Sequence, residues 1–462
     1  MKFTSLTYIY FLVLIVGMYW LINKKHFQNI LLLAGSYFFY GYIHPWFCYL
    51  LVTTTLVDYF CGRAIHTSIT NKRLFLILSL SINLGILGVF KYFNFFLDNF
   101  YSAVATLGIT VSPYTLNILL PIGISFYTFR SLSYTIDIYR GEINPRKNLI
   151  DYALFVAFFP ELMAGPIERA KKLLPQIEQH RKWRWEYLLT ATSLFLRGYL
   201  KKLVIADNIA VYTNKIFILD SPSFFILAVG SLAFAIQIYA DFSAYTDIAR
   251  GSGKLLGFEL TENFNSPYLA ISPSDFWRRW HISLSTWIRD YIYIPFGGSR
   301  VGSKLKFLFV LLSSMGLCGL WHGAAWNFIL WGLYYGALIF IYHSLGLGGK
   351  WKPKGLTTQI PAWLIMTSFT LFGWLLFRSP DLCWLGRSLW NFSGGFQGDS
   401  FTISIITLTM IIFYSLPFFV LFITDRLIPQ NAYFQAILNG ILLIGIILLY
   451  QSSQQDFIYF QF

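Results

Sequence analysis

Two histidines lie in sequence surroundings that could make them reactive. His322 falls between Phe307 and Gly349, a run that contains no Asp, Glu, Lys or Arg. His281 precedes it by 41 positions, in the basic and aromatic stretch FWRRWHISLS. An imidazole has an unperturbed pKa of about 6.5, which suits it to general-base catalysis near neutral pH. Burial among apolar residues keeps the ring neutral, which is the form that a base requires.

Each histidine also has a structural interpretation. An imidazole in an apolar helix can hydrogen-bond a neighbouring carbonyl and hold two helices together, and Ser314 or Asn327 could be its partner in either role. The stretch around His281 could equally be a basic and aromatic belt at a membrane surface. We predict no metal site, because the sequence has no H-x-x-x-H or H-E-x-x-H pattern. No G-x-S-x-G or Ser-His-Asp arrangement is evident either.

The composition indicates the medium in which these residues lie. The chain is 56% hydrophobic and 20% aromatic, its mean hydropathy is +0.57, and only 12% of its residues are charged. Soluble domains average about 25% charged residues, so this composition predicts a polytopic membrane protein. Lys plus Arg is 35 and Asp plus Glu is 21, which gives a net charge of +14. We attribute this excess to cytoplasmic loops and predict no nucleic-acid partner.

The four cysteines and the first apolar run exclude two further classes. Cys48, Cys61, Cys318 and Cys383 show no CxxC spacing, which predicts neither a metal site nor a disulfide framework. The apolar run at 5–22 is followed by Asn-Lys-Lys-His and lacks a small-residue cleavage site. We therefore expect it to be a retained first span and not a cleaved signal peptide.

Apolar segments recur along the whole chain, and we interpret 1–462 as a single membrane-embedded domain. Several segments are too short to cross about 30 Å of hydrocarbon at 1.5 Å per residue. We expect an all-α fold with about eleven crossings, together with re-entrant or interfacial helices. After the first run, the segments lie at 27–43, 47–60, 74–92, 115–134, 149–164, 186–200, 203–218, 223–240, 305–321, 324–345, 361–377, 403–424 and 433–450.

The segment 241–300 differs from the others because aromatic and charged residues alternate densely along it. This density argues against a spanning helix here. Ser272-Pro273-Ser274-Asp275 is typical of a helix start with a capping side chain. From this start to Tyr293 the sequence predicts one amphipathic helix that lies at the interface or re-enters the membrane.

Lys and Arg predict the orientation. The loop at 165–184 carries six of them, which is the strongest cytoplasmic signal in the chain. The loop near 380–400 has few basic residues and is predicted to be extracytoplasmic. With this orientation the N-terminus lies outside.

Five stretches in the same order resemble the membrane-bound O-acyltransferases, most closely the alginate O-acetyltransferase branch, and the terminal FIYFQF is also typical of it. They are LPIGISFYTFRSLSYTIDIYRG (120–141), FFPELMAGPIERA (158–170), DFSAYTDIARG (241–251), DFWRRWHISLSTWIRDYIYIPFGG (275–298) and WHGAAWNFILWG (321–332). In the second stretch Glu161 stands where the family more often has Gln or Lys.

The resemblance implies a ring of helices that encloses a central tunnel. It implies a multi-pass protein of the bacterial inner membrane that passes acetyl from cytoplasmic acetyl-CoA to an extracytoplasmic polysaccharide. No bound cofactor is implied. The branch works with an extracytoplasmic partner acetyltransferase of the SGNH or alginate-modification type.

The resemblance also matches His322 to the near-invariant family histidine and His281 to the second motif histidine. We assign His322 as the general base, and His281 to positioning the substrates or polarising the thioester carbonyl. Arg278 and Arg279 could attract coenzyme A phosphates or simply anchor the interface. The residues predicted to line the tunnel or touch substrate are Trp277, Arg278, Arg279, Trp280, Trp321 and Asn327.

Other functions remain open at this point. Within the superfamily, the chain could transfer D-alanine from a carrier protein to teichoic acid, or acetylate peptidoglycan. A more distant alternative is a transporter with an intramembrane histidine as a proton relay. A transporter would predict inverted repeats, which we do not find in the sequence.

Overall fold

A computed structural model describes residues 1–109, 111–112, 114–116, 119–349, 351–391, 398–427, 431–450 and 455–458. These residues form helices and connecting segments, and no strand occurs among them. The all-α prediction is confirmed for this part of the chain. Three predicted features fall partly outside it: residues 117–118 of the apolar segment 115–134, residues 392–397 of the loop expected outside the cytoplasm, and 459–462 of the terminal FIYFQF.

Twenty α-helices follow one another along the described ranges, and three π-helical segments interrupt them at Gly88–Tyr92, Leu200–Ala206 and Arg289–Tyr293. The first ten are α1 (Leu6–Leu21), α2 (Lys25–Gly41), α3 (Phe47–Thr67), α4 (Lys72–Leu87), α5 (Phe93–Thr106), α6 (Ile124–Tyr139), α7 (Leu149–Ala157), α8 (Phe159–Leu162), α9 (Ala170–Glu178) and α10 (Trp185–Tyr199). The others are α11 (Asp207–Phe217), α12 (Phe224–Leu255), α13 (Pro273–Arg279), α14 (Ile282–Ile288), α15 (Lys304–His322), α16 (Trp326–Ser344), α17 (Leu356–Arg378), α18 (Leu382–Trp390), α19 (Gly398–Leu427) and α20 (Ala432–Leu449).

Five helical segments of the described chain are long and apolar enough to cross a membrane. They are Lys72–Thr106, Phe224–Leu255, Lys304–His322, Leu356–Arg378 and Phe401–Thr424. Two shorter apolar helices, Leu6–Leu21 and Tyr433–Leu449, accompany them. The multi-pass character of the chain follows from these segments, whereas the count of eleven crossings and the central tunnel stay predictions.

The chain groups into two compact units. The first comprises Met1–Ala191 and Ala249–Thr261, and the second comprises Thr192–Ile248 and Glu262–Phe462. His281 and His322 both belong to the second unit. The prediction that 1–462 forms one domain stays a prediction.

A buried ion pair organises part of the first unit. Arg130 of α6 lies 3.0 Å from the carboxylate of Glu161 on α8, and both side chains are fully buried. The Arg130 guanidinium also donates to the carbonyls of Phe155 and Val156, each at 3.1 Å. Guanidinium groups suit such buried pairs because several donors are satisfied at once. Glu161, the residue at which the sequence departs from the family pattern, thus ties α8 to α6.

The prediction for 241–300 is wrong at its beginning, because α12 continues from Phe224 to Leu255 without a break. The charges that argued against a spanning helix are paired. Asp241 lies 3.0 Å from the ammonium of Lys202, and Asp247 lies 2.7 Å from that of Lys201. Pairing lowers the cost of removing a carboxylate from water, so the helix can carry both.

The single amphipathic helix predicted from Ser272 to Tyr293 is also wrong, although its start is confirmed. The Ser272 hydroxyl caps α13 and accepts a hydrogen bond from the Asp275 amide at 3.2 Å. The helix then ends at Arg279, and α14 begins at Ile282. The break falls at His281, whose backbone is left-handed and cannot continue a right-handed helix.

Helices α15 and α16 form an apolar hairpin whose backbones touch. A Cβ added at Gly319 would lie 2.1 Å from the carbonyl oxygen of Phe328, and one at Gly332 would lie 2.0 Å from that of Met315. Small residues allow this close approach and are typical of helix pairs in membranes. The hairpin fixes the end of α15, where His322 lies, against the first turns of α16.

Candidate active site

His281 occupies a strained position between α13 and α14. Its φ is +41° and its ψ is +57°, a left-handed conformation that only Ser266 shares among the described non-glycine residues. A residue with a Cβ pays about 1–2 kcal/mol for this conformation, so the surrounding structure must hold it there. Strained residues of this kind are common at functional sites.

His281 is fully buried, and both its ring nitrogens lack a hydrogen-bond partner among the described residues. Its ring packs edge-on against Phe242 of α12, with ring centroids 4.7 Å apart. Burial lowers the pKa of His281 to about 3, so the ring is neutral near pH 7. A neutral imidazole offers one N–H donor and one nitrogen acceptor. Neither is taken up by a hydrogen bond within the described part of the chain.

His322 is the last residue of α15 and is 4% exposed. Gly323 follows it in an extended conformation, and α16 starts at Trp326. The predicted apolar segments 305–321 and 324–345 therefore correspond to α15 and α16. The imidazole packs edge-on against Trp331 of α16 and Phe377 of α17, with ring centroids at 5.1 and 5.4 Å.

The indole of Trp321 brings the two histidines into one cluster. Its ring centroid lies 5.8 Å from that of His281 and 5.0 Å from that of His322, both in edge-on geometry. Two imidazoles that are distant in sequence thus contact the same side chain. The arrangement brings two buried imidazoles together within an aromatic wall.

The predicted tryptophans belong to this wall. Trp277 lies 5.5 Å from Trp331, and Trp280 lies 4.8 Å from Trp374, measured between ring centroids. The indole N–H groups of Trp277, Trp280 and Trp331 are buried without a hydrogen-bond partner in the part of the chain described. Buried donors in native proteins usually have partners, so a ligand with acceptor oxygens would suit this wall.

The other predicted residues have structural partners. Arg278 and Arg279 contact the carboxylate of Asp275 at 3.4 and 3.1 Å. The Asn327 amide donates to the carbonyls of Phe377 and Ser379, at 3.1 and 3.4 Å. These bonds connect α16 to the end of α17, beside the phenyl ring that packs on His322.

Two further features considered from the sequence are the Ser314 hydroxyl and a metal site. The Ser314 hydroxyl donates to the Val310 carbonyl of its own helix at 2.7 Å. No group of three or more His, Cys, Asp or Glu side chains that could hold a metal ion occurs within the described ranges.

The family of the chain can be stated from a comparison with known proteins. The model of the membrane-bound O-acyltransferase family matches residues 32–345, more than half of the chain, and this range contains both histidines. The chain belongs to the membrane-bound O-acyltransferase family. It is therefore an acyltransferase, as the resemblance predicted.

Curated relatives narrow the branch of this family. The probable alginate O-acetylase AlgI of Pseudomonas aeruginosa is 41% identical over 83% of this chain and 73% of its own length. The peptidoglycan O-acetyltransferase of Helicobacter pylori is 37% identical over 77% and 72%, respectively. The teichoic acid D-alanyltransferase of Bacillus subtilis is 30% identical over 56% and 69%.

Sequence reasoning missed several residues of the acyltransferase cluster. Trp331 and Phe377 contact His322, and Phe242 contacts His281. Trp331 lies within the quoted WHGAAWNFILWG stretch, nine positions from His322, so this stretch carried a signal for it. Phe377 and Phe242 are single aromatic residues on apolar helices, and only the packing distinguishes them from many others.

Proposed function

We propose that this acyltransferase passes an acetyl group from cytoplasmic acetyl-CoA across the membrane for O-acetylation of an extracytoplasmic polysaccharide. The single observation that carries the chemistry is the contact of both buried imidazoles with Trp321. The substrate class rests on the relatives, since an alginate O-acetylase name accompanies identities of 37 to 41% over more than four-fifths of this chain.

In the proposed reaction His322 acts as the general base. Its neutral ring takes the proton of the attacking hydroxyl as the oxygen forms a bond to the thioester carbonyl carbon. The carbon–sulfur bond then breaks, and the proton passes to the leaving thiolate to release coenzyme A. Its packing between Trp321, Trp331 and Phe377 supports this role because these rings exclude water from the imidazole.

His281 has a different proposed role. Its ring N–H would donate to the thioester carbonyl oxygen, on which negative charge develops during the attack. Two observations support this role: the ring nitrogens have no described partner, and the low pKa keeps the ring neutral. The indole N–H groups of Trp277 and Trp280 could hold other acceptor oxygens of the donor or the acceptor.

Arg278 could guide the donor. Its side chain is 49% exposed, pairs with Asp275 at 3.4 Å and donates to the Gly349 carbonyl at 2.7 Å. Exposed contacts of this kind are weak, so the guanidinium can exchange them for a phosphate. Arg279 is more enclosed, at 29%, and donates to Asp275 from Nε. We therefore assign phosphate attraction to Arg278 first and an anchoring role to Arg279.

We place the protein in the bacterial inner membrane with a tunnel between its faces, in keeping with the family resemblance. The acetyl group, now an ester of the attacking hydroxyl, would then pass from this oxygen to an extracytoplasmic partner acetyltransferase of the SGNH or alginate-modification type, so the first hydroxyl serves as a carrier and is released when the ester is cleaved. This partner would complete the transfer to the polysaccharide.

Sealed inside-out vesicles test the donor. Labelled acetyl-CoA added to the exposed cytoplasmic face should label the acceptor when partner and polysaccharide are present. Vesicles with His322→Gln should give no label above background, while Lys215→Gln, a change on the unrelated helix α11, should label as the wild type does. Equal labelling from a charged carrier protein in place of acetyl-CoA would instead assign the chain to D-alanyl-type transfer.

Peptidoglycan O-acetylation is the second candidate. The Helicobacter pylori relative is 37% identical over 77% of this chain, close to the values of the alginate relatives. Peptidoglycan O-acetylation would use the same acetyl chemistry as O-acetylation of an alginate-like polysaccharide, so only the acceptor distinguishes the two functions. Label in muropeptides and not in polysaccharide would favour this alternative.

A further inference from the structure

Asn263, which lies on a separate segment of the chain, stabilises the turn that contains His281. The carbonyl oxygen of Asn263 accepts a hydrogen bond from the Ile282 amide at 2.9 Å. The side-chain oxygen of the same residue accepts from the Ser283 amide at 3.1 Å. These amides open α14, where helical N–H groups have no partner within the helix. One asparagine therefore satisfies two of them.

Because Asn263 accepts from these amides, the His281 side chain is not needed to cap α14. His281 is the residue that precedes α14, and a residue in this position commonly caps the helix with its own side chain. Its side chain makes no capping hydrogen bond here. Asn263 does so in its place, although it lies 18 positions earlier in the sequence.

The residues just before His281 are held by the same segment. The amide of Asn265 donates to the carbonyl of Arg279 at 3.0 Å, and Arg279 Nη1 donates to the Asn265 carbonyl at 3.3 Å. The segment 263–265 thus fixes the chain on both sides of His281. Asn263 itself is fully buried, and its amide reaches the Thr246 hydroxyl of α12 at 3.5 Å.

We propose that Asn263 is a positioning residue for catalysis, which holds His281 in its left-handed conformation with the imidazole available to the substrate. This inference rests on the proposed function of His281. Substitution can test the side-chain oxygen of Asn263, which accepts from the Ser283 amide. The backbone carbonyl, which accepts from the Ile282 amide, is present whatever residue stands at this position.

The test compares Asn263→Ala with Asn263→Asp in purified protein supplied with acetyl-CoA, partner and acceptor. Removing the acceptor should lower kcat by about 10- to 100-fold, the effect of a small misplacement of a reacting group, with KM changed by less than about 3-fold. Asp retains an oxygen acceptor for the Ser283 amide and should restore kcat to within about 5-fold of the wild type. Asn265→Ala is the matched control, since Asn265 is exposed, lies on the same segment and uses only its backbone in the contacts above. It should keep wild-type kcat.

A double-mutant cycle with His281→Gly separates positioning from a general effect on folding. If Asn263 acts through His281, Asn263→Ala should add little further loss in the His281→Gly background. The inference is overturned if the fold-losses in kcat of the two single variants multiply in the double variant. It is also overturned if Asn263→Ala has the kcat of the wild type. If Asn263→Ala does not fold, Asn263→Asp still decides, because failure to restore kcat in folded protein has the same consequence.

The two proposals fail in different ways. Glycine adopts the left-handed conformation readily, so His281→Gly preserves the turn and removes only the imidazole. Wild-type activity of His281→Gly would remove His281 from the reaction, whatever Asn263 does. Strong loss in His281→Gly together with unchanged kcat in Asn263→Ala would contradict only the role of Asn263.

Discussion

His281 and His322 contact the same indole ring, that of Trp321, but are not hydrogen-bonded to each other. The centroid distances to Trp321 are 5.8 and 5.0 Å, and the nitrogens of His281 have no partner among the described residues. The two imidazoles are thus not a direct proton relay. His281 is therefore not half of a histidine pair that shares a proton, which is compatible with the separate roles proposed for the two rings.

The base assignment predicts that two substitutions of His322 impair acetyl transfer equally. His322→Ala should lower the acetyl-transfer rate by about 10²- to 10⁴-fold, because general-base catalysis is lost. His322→Gln should be equally impaired, since a carboxamide can replace a structural hydrogen bond but cannot take a proton near pH 7. Transfer assays on purified protein measure both rates.

Folding controls accompany these assays. Both His322 variants should insert into the membrane and elute as the wild type does in size-exclusion chromatography. A His322→Gln protein that retains most of its activity would mean that the imidazole only holds α15 against α16 and α17.

The burial of His281 predicts a pH dependence of stability. The unfolded chain carries this histidine with a pKa near 6.5, whereas burial lowers its pKa to about 3 in the folded protein. Between these values the unfolded state binds a proton that the folded state does not. Stability should therefore fall as the pH decreases from about 6.5, by up to about 1.4 kcal/mol per pH unit from this group.

Thermal unfolding in detergent between pH 6.5 and pH 4.5 tests this dependence. His281→Gln should unfold with a shallower pH slope than the wild type, because glutamine does not titrate. His26→Gln, which changes an exposed histidine, is the matched control and should keep the wild-type slope. Equal slopes for all three proteins would show that His281 is protonated to the same extent in both states.

Sequence reasoning predicted those parts of the site that have a local cause. The end of α15 at His322 follows from the Gly-Ala-Ala stretch after it, and the start of α13 follows from the Ser272 cap. The break at His281 could not be predicted, because histidine has no local preference strong enough to require a left-handed conformation. The partner that holds this turn, Asn263, lies in another segment.

The same reason explains the error in α12. Its carboxylates at Asp241 and Asp247 argued against a long helix when read alone. Their partners, Lys202 and Lys201, lie about 40 positions earlier, and only the folded chain brings them together. Non-local pairing of charges thus decided a feature that local composition predicted wrongly.

The close approach of α15 and α16 predicts that Gly319 cannot be replaced even by alanine. The added Cβ would lie 2.1 Å from the Phe328 carbonyl oxygen, so the two backbones must separate. Overpacking of this kind costs about 1–3 kcal/mol, and the shift should also move His322 relative to Trp331. Thermal unfolding and transfer rate should both decrease.

Gly85→Ala is the control for this substitution. Gly85 lies within α4, and nothing comes within 4 Å of an added Cβ there. The variant should retain both the stability and the transfer rate of the wild type. If Gly319→Ala also retained both, the hairpin would be able to adjust without moving the site.

The buried cluster around Lys202 predicts a stability loss with no direct role in chemistry. The Lys202 ammonium lies 2.9 Å from Asp207 and 3.0 Å from Asp241, and it is 1% exposed. Lys202→Met leaves two buried carboxylates without their cation, which should cost about 3–5 kcal/mol. Chemical denaturation in detergent measures this loss.

An exposed pair is the matched control for this cluster. Arg289→Met breaks the contact with Asp290, in which the arginine side chain is 57% exposed, and should cost less than about 1 kcal/mol. Similar losses of stability in Lys202→Met and Arg289→Met would mean that water reaches the Lys202 cluster and weakens its ion pairs as much as it weakens the exposed pair.

The orientation of the chain can be tested with a native cysteine. Cys383 begins the region near 380–400 that we predict to lie outside, and it is exposed, whereas Cys61 and Cys318 are buried and Cys48 is half-buried. A membrane-impermeant maleimide should therefore label Cys383 in cells whose inner membrane is intact, once the outer layer admits the reagent.

Lys182→Cys in the Cys383→Ser background places a thiol at an exposed position of the basic loop, and it should react only after the inner membrane is permeabilised. The Cys383→Ser protein alone should remain unlabelled in intact cells, which assigns the signal to this thiol. The reverse pattern, with Lys182→Cys labelled from outside and Cys383 protected, would invert the orientation and move the acetyl donor to the other side of the membrane.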